Sequence, residues 1–370
     1  MRCVIAGGGT GGHLFPGIAV AEAFKEKEEG NEVLFIGTER GIEVRVLADG
    51  RFPLKTVRAL PLKGRSLSGK VSALAAMPLA VLEALSILRA FRPHLVLGVG
   101  GYASGPALVA AWLLGVRRAI HEQNMVPGMT NQILKWFSQR IFVSFEEARR
   151  YFPEKKTRVT GNPIRKEFTV CSKRAQRGDR FTVLVFGGSA GAHRINEAVK
   201  EALDSLRAIR PSIWFVHQTG REDLESVSRV YQQKGFDALV QPFFEDMPAR
   251  YEAADLVLCR AGASTIAELA ACGKGAILVP YPFAAHQHQL VNARRLVGLG
   301  ASRMIEDKDL NGVSLAKAIL HLHSHPEELR RMEEAISRVS RPRAAQEIVE
   351  HCYALVGETS QPPPTLTLPL

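Results

Sequence analysis

Ile5-Ala6-Gly7-Gly8-Gly9-Thr10-Gly11-Gly12-His13 decides how this chain is read, because the chain contains it twice. Val185-Phe186-Gly187-Gly188-Ser189-Ala190-Gly191-Ala192-His193 repeats the apolar pair, the Gly-Gly, the later glycine and the closing histidine near the start of the second half. Each copy follows a β-branched run, Val4-Ile5 or Thr182-Val183-Leu184-Val185, and precedes helical apolar spacing. Strand, glycine turn and helix together bring backbone N–H groups and a positive helix end up to a phosphate. One copy is weak evidence. Two copies predict a pair of nucleotide-fold domains facing each other across a cleft.

Outward from these turns, short apolar runs alternate with helical periodicity. Cys3–Ala6, Val33–Ile36, Leu95–Val99 and Ile141–Val143 have the continuous apolar character of strands covered on both faces, as in a parallel sheet. Helical patterns lie between them, notably His13–Gly30 and Val71–Ala90. A break falls at Gly161-Asn162-Pro163, and a basic connector runs from Lys173 to Arg180. The second half predicts strands at Thr182–Phe186, Trp214–Gln218, Ala238–Gln241, Leu256–Cys259 and Ala276–Val279. Pro326 to Val356 carries one or two amphipathic helices, interrupted near Arg341-Pro342. The alternation specifies an α/β architecture of two doubly wound lobes.

The 370 residues suffice for two domains with separate cores. The cysteines are five and scattered, with no C-x-x-C, which predicts reduced thiols rather than a disulfide framework or a zinc site. The N-terminus has no signal-peptide pattern. Of the net charge of +11, the segment Arg51–Phe145 carries +10, from twelve Lys/Arg against Glu83 and Glu122. Such a lobe attracts polyanions, and with no nucleic-acid module present a lipid surface or an acidic substrate fits better than nucleic acid. Pro93 to Val116 is free of Asp, Glu, Lys and Arg, but Gly98-Val99-Gly100-Gly101-Tyr102-Ala103-Ser104-Gly105-Pro106 interrupts it. It is read as buried strand, glycine loop and buried helix rather than a membrane span.

Several motifs carry chemistry. Gly7-x-Gly9-x-x-Gly12 matches a dinucleotide fingerprint, with Glu39 as its ribose acid, yet a second glycine loop makes a shared cleft the more economical reading. His13 starts a helix, where the dipole disfavours imidazolium and leaves a ring able to accept a proton. His193 has the same local setting, and one of the two at most does chemistry. Asp255 to Glu268 is another strand–turn–helix, in which Ser264 and Thr265 are natural N-caps and Glu268 could accept two hydrogen bonds from a ribose diol. His121-Glu122-Gln123-Asn124 follows a strand ending at Ile120, on the rim where α/β folds place ligands. His286-x-His288 and Asp307-Lys-Asp309 superficially resemble metal motifs, but the first lacks a third ligand and the second lies far from the glycine turns. No metal or cofactor is expected.

In order, GGGTGGHLFPGIAVAEAF, GVGGYASGPALVAA, HEQNMVPGMTN, GNPIR, GGSAGAHRIN, RAGASTIAELAACGK and HQHQLVNA span residues 7 to 293. Together they resemble the bacterial N-acetylglucosaminyltransferase of peptidoglycan synthesis, the MurG family. The resemblance implies a GT-B fold whose last helix crosses back to the first lobe. The domains would be 1–162 with the helix 341–357 as the acceptor and membrane lobe, 163–340 as the donor lobe, and 358–370 as a disordered tail. It implies transfer of GlcNAc from UDP-GlcNAc to the 4-hydroxyl of undecaprenyl-pyrophosphoryl-MurNAc-pentapeptide, with inversion, at the cytoplasmic face of the plasma membrane.

Family donor contacts carry over to Thr10, Gly11, Gly12, Asn124, Arg165, Ser189 and Gln289. The segment with Ala263, Ser264, Thr265 and Glu268 would hold uridine, and the backbone at Phe244 the uracil. His13, Tyr102, Glu122 and Asn131 match acceptor or catalytic positions, with His13 the expected base and Glu122 the second candidate. Gly275 stands where Gly-Lys-Pro is more usual, and His286 where an acidic or polar residue is common. Leu60, Leu62, Leu67, Met77 and Leu79, interleaved with Lys63, Arg65 and Lys70, would form an apolar patch with a basic border for an anionic membrane. A UDP-GlcNAc 2-epimerase, a pyridine-nucleotide oxidoreductase and a non-catalytic membrane adaptor are the rival classes.

Overall fold

The computed structural model describes residues 1–39, 41–59, 67–171, 179–188, 191–284 and 287–357, the side chains of 67–75 excepted. It divides into two compact units. One holds Met1–Pro163 together with the chain from Arg343 onward, and the other holds Ile164–Pro342.

In the first unit, β1 (Arg2–Ala6), β2 (Glu32–Thr38), β3 (Leu54–Val57), β4 (Leu95–Gly98), β5 (Arg117–Glu122), β6 (Arg140–Val143) and β7 (Thr157–Val159) form a sheet in the order β3-β2-β1-β4-β5-β6-β7. Every pairing is parallel. Its helices are α1 (Gly11–Lys27), α2 (Ile42–Val46), α3 (Leu67–Phe91), α4 (Ser104–Leu113) and α5 (Met129–Leu134). Cys3 to Ala6 and Leu95 to Leu97 are fully buried, because helices cover both faces of the sheet.

The second unit repeats the plan. β8 (Phe181–Phe186), β9 (Ile213–Gln218), β10 (Ala238–Gln241), β11 (Leu256–Cys259), β12 (Ala276–Leu278) and β13 (Ser302–Met304) lie in the order β10-β9-β8-β11-β12-β13, again all parallel. The helices are α6 (Lys166–Thr169), α7 (His193–Ala202), α8 (Leu224–Lys234), α9 (Met247–Ala253), α10 (Ala263–Cys272), α11 (His288–Gly298), α12 (Gly312–Ser324) and α13 (Pro326–Ser337). A last helix, α14 (Ala344–Gly357), belongs to the first unit. There Ile348, Val349, Cys352 and Leu355 join the core built on α1, and the Tyr353 hydroxyl donates to Asn31 at 2.9 Å.

Strand order reverses between β1 and β4 in one sheet and between β8 and β11 in the other. In open α/β sheets that reversal opens a crevice beyond the strand ends. The loops that meet there are the glycine turn and the Gly100-Gly101 loop in the first unit. In the second they are the other glycine turn and Arg260–Gly262.

Two expectations are corrected. β5 continues past Ile120 to Glu122, so His121 and Glu122 are the buried last two residues of the strand and only Gln123 and Asn124 follow it. Cys171, just after α6, and Cys272, the last residue of α10, are joined as a disulfide with Cα atoms 5.2 Å apart, while Cys3, Cys259 and Cys352 are free and buried. The pairing spans 101 positions, a contact that only the tertiary fold brings about. At Gly275 a Cβ would fall 2.4 Å from Leu329 Cδ1, so a side chain there would require Leu329 of α13 to give way.

Candidate active site

The first unit assembles its residues around the turn after β1. Gly9 has a positive φ of 82°, and α1 starts at Gly11, so the turn reverses within a few residues. Thr10, at the cap of α1, hydrogen bonds through Oγ1 to His13 Nδ1 at 3.1 Å. The His13 ring packs on Gly100, where a Cβ would lie 2.6 Å from His13 Cδ2. Gly101 admits the turn just as closely, since its Cβ would fall 2.4 Å from the Gly8 carbonyl oxygen. Tyr102 is exposed and reaches the same turn, its ring edge 3.9 Å from where a Gly9 Cβ would stand. Thr10 and Gly12 are exposed and Gly11 is half-buried.

Behind this surface lies a network of buried polar groups. Glu122 is only 2% exposed. Its Oε1 accepts from the Asn124 backbone N–H at 2.9 Å and from Asn124 Nδ2 at 3.4 Å. Its Oε2 accepts from Asn131 Nδ2 at 2.9 Å and from Gly128 N–H at 3.1 Å. Burial pushes the Glu122 carboxyl upward, against the pull of these bonds. The carboxylate thus pins the 122–131 loop from inside, and Asn124 and Asn131 are both held by it. Next to it, burial lowers His121 to about 4, so this ring is neutral at physiological pH.

In the second unit the corresponding turn follows β8. Ser189 and Ala190 lie outside the described residues. Gly188 accepts from Gln218 Nε2 at 2.9 Å, and Gln218 Oε1 accepts from the Phe244 N–H at 2.8 Å. One side chain at the end of β9 therefore ties the glycine turn to the Phe244 turn. Gln218 was not singled out from sequence; the only local signal is its place at a strand end, in His217-Gln218-Thr219. His193 starts α7 and bonds through Nδ1 to Asp223 at 2.9 Å, a carboxylate partner where His13 has a hydroxyl.

α10 begins at Ala263 with Gly262 at its cap, so Ser264 and Thr265 are first-turn residues and not the cap. The first helix-closing bond runs from Ile266 N–H to the Gly262 carbonyl at 2.9 Å. The first turn of α10 thus lies at the positive end of the helix, the arrangement that receives anions. Glu268 follows on the same helix. Burial raises its carboxyl to about 7, while the Arg165 guanidinium and the Tyr251 hydroxyl, 3.2 Å away, pull it down. Arg165 also stacks over the Phe168 ring at 5.1 Å. Gln289 on α11 accepts from the Tyr281 N–H at 2.9 Å.

The metal look-alikes resolve differently. Asp307 pairs with Arg260 at 2.6 Å, both largely buried, which makes it an ion-pair partner. His286 lies outside the described residues. Among those described, His193, Glu197 and Asp223 stand close enough to share an ion. Asn196 and Lys200 already engage the two carboxylates, at 2.7 Å each.

Two parallel sheets, each with a glycine turn at its point of reversal and the second with a carboxylate one turn into a strand-end helix, are the paired Rossmann-like units of the GT-B fold, and the family match makes the class a glycosyltransferase. The glycosyltransferase family 28 N-terminal domain matches residues 3–143 and its C-terminal domain residues 182–348, so the chain belongs to that family. Within it the chain is a member of the MurG family. It is 50% identical over 363 residues to a Myxococcus xanthus protein, covering 98% of this chain and 95% of that one. That protein is named UDP-N-acetylglucosamine–N-acetylmuramyl-(pentapeptide) pyrophosphoryl-undecaprenol N-acetylglucosamine transferase. The crystal structure of Acinetobacter baumannii MurG superposes with a TM-score of 0.76 at 29% identity, covering 95% of this chain and 99% of that one. A Listeria monocytogenes structure titled as a UDP-N-acetylglucosamine 2-epimerase matches at 0.70 with 16% identity, over 98% of each chain, and shows the shared fold alone.

Proposed function

We propose that this enzyme moves GlcNAc from UDP-GlcNAc to the 4-hydroxyl of undecaprenyl-pyrophosphoryl-MurNAc-pentapeptide, with inversion at the anomeric carbon. The observation that carries this reading is the identity along nearly the whole chain to the Myxococcus xanthus transferase. His13 is assigned proton removal: Thr10 holds Nδ1, and Nε2 takes the proton of the acceptor hydroxyl. As the new oxygen–carbon bond forms, the bond from the anomeric carbon to the β-phosphate oxygen breaks and UDP leaves. Glu122, buried and bonded on both oxygens, is assigned the bracing of the 122–131 loop instead of proton transfer. Ser189, Arg165, the second glycine turn and the first-turn amides of α10 are assigned the pyrophosphate, Glu268 the ribose diol, and the backbone at Phe244 the uracil.

The acceptor's lipid carrier calls for a membrane surface, and we place the protein peripherally at the cytoplasmic face. No described helix is long and apolar enough to cross a membrane. Of the patch expected from sequence, Leu60, Leu62, Lys63 and Arg65, and the side chains of Leu67 and Lys70, lie outside the described residues, while Met77 is half-buried and Leu79 exposed. The exposed apolar side chains of this unit extend further, over Leu82, Trp112, Leu113, Ile133 and Trp136, the last 72% exposed. They sit on α3, on α4 and at the end of α5, with Lys135 Nζ 5.4 Å from the Trp136 ring centre. Aromatic rings bordered by basic charge suit an anionic headgroup layer.

Labelled GlcNAc transfer from UDP-GlcNAc to a short-chain lipid acceptor tests the activity. Release of ManNAc without acceptor would instead mark an epimerase. Co-sedimentation tests the surface: Trp112→Ala with Trp136→Ala should reduce binding to anionic vesicles, and equal binding to neutral and anionic vesicles would defeat it.

A further inference from the structure

Glu43, in the short helix α2, is fully buried, and its carboxylate is inserted into the first glycine turn. Oε2 accepts from the Gly9 N–H at 2.8 Å, and Oε1 accepts from Thr38 N–H at 2.7 Å and Thr38 Oγ1 at 3.0 Å. Three glycines make the space for it. A Cβ at Gly8, Gly37 or Gly41 would fall 2.4, 2.6 or 2.1 Å from the Glu43 side chain. A glycine turn after a first strand is built to turn its backbone N–H groups on an anion. Here the anion is part of the chain.

We propose that Glu43 is the resident anion of the first glycine turn, closing its inner face to phosphate and positioning Thr10 and His13. The second turn offers the contrast. At Gly188, the counterpart of Gly8, a Cβ would meet nothing within 4 Å. A buried carboxylate with three donors is held in one orientation, because turning it away strands N–H groups without water. Gly9 is next to Thr10, and Thr10 holds His13 Nδ1, so the carboxylate fixes the histidine through two short links. Glu43 is a positioning residue that touches no substrate. Its effect on turnover rests on the transfer reaction proposed above, whereas the occupied turn does not.

Glu43→Gln keeps the shape but presents an NH2 group to at least one of these donors. It should lower kcat about tenfold or more, with UDP affinity within about threefold of wild type. Glu43→Ala removes the anion and leaves a space that a small carboxylate fits. Formate, and not chloride at equal ionic strength, should raise the melting temperature of this variant, leave that of wild type unmoved, and restore part of the lost turnover. The melting readout needs no transferase activity, so the occupied turn is tested even if the reaction proves different. Wild-type kcat in Glu43→Gln would overturn the positioning role, and so would a loss of UDP affinity equal to the loss of kcat. A Glu43→Ala protein that responds alike to formate and chloride would overturn the resident anion. If Glu43→Ala does not fold, Glu43→Gln melted with the same two salts decides, and a formate-specific shift there would also count against the proposal.

Discussion

The two glycine turns share a sequence pattern and a place in their sheets, yet they differ in what fills them. The turn after β1 is occupied by Glu43, crowded by Gly100 and Gly101, and ends in a histidine held by a hydroxyl. The turn after β8 has open space beside Gly188, is tied to the Phe244 turn through Gln218, and ends in a histidine held by Asp223. A strand–glycine–helix unit therefore supplies a rigid corner with oriented N–H groups. Whether it receives a ligand's phosphate or a carboxylate of its own chain depends on the neighbouring loop. The first turn meets a carboxylate of its own chain, and the second has open space beside Gly188.

The contrast can be broken most directly at the histidines. His13→Ala should lower turnover by about 10²–10⁴ with UDP affinity nearly unchanged, and normal turnover in a steady-state assay would remove His13 from the chemistry. The next effect is one of packing. Gly8→Ala and Gly188→Ala both put a side chain at positive φ, but only the first collides with a buried carboxylate. Gly8→Ala should cost about 1–3 kcal/mol more than Gly188→Ala in denaturant unfolding, and equal costs would show that backbone strain alone matters.

A smaller effect is expected at Glu268, whose carboxyl is raised to about 7. Only the ionised form accepts two hydrogen bonds from a diol, so uridine affinity should rise with pH through about 7. The gain is at most about tenfold between pH 6 and 8. Glu268→Gln should bind weakly at both pH values, and calorimetric titration with uridine would reveal a wild-type affinity that ignores pH. The smallest effect belongs to His193→Ala. Its hydrogen bond to Asp223, made by a side chain that is 69% exposed, is worth about 1 kcal/mol or less, so turnover and stability should stay close to wild type. A loss as large as that of His13→Ala would make the two turns equivalent after all.

Much of this was legible in the residues. β10 and β11 run over the predicted residues: β11 is a fully buried apolar run, and β10, although a half-buried edge strand, keeps an apolar run bounded by turns. β3 and β13 were not legible: Leu54-Lys55-Thr56-Val57 and Ser302-Arg303-Met304 mix polar and apolar residues, since they close the edges of their sheets. At the site, the family resemblance pointed to Tyr102, and position along the chain singled out His13 and Glu268 as candidates. It assigned Glu122 to a rim, because Arg117-Arg118-Ala119-Ile120-His121-Glu122 has only two apolar residues to mark a strand. Arg118 is accommodated there by donating to the Phe137 and Val116 carbonyls, and nothing in the local pattern predicts such partners.

Glu39 and Glu43 lie four positions apart, and the fingerprint spacing offered Glu39 as a ribose acid, a reading that the second glycine loop set aside. Glu39 is exposed, while Glu43 is buried against the turn. The amino-acid sequence by itself determined two α/β lobes, their glycine turns and the helix that carries Glu268, because strand and helix periodicity and glycine turn chemistry are local. Only the tertiary structure decided that Glu43 fills the first turn and that Cys171 meets Cys272. Each of these is a contact between segments distant in sequence. Its energy comes from burial and from donors supplied by another loop, and neither is written in the neighbouring residues.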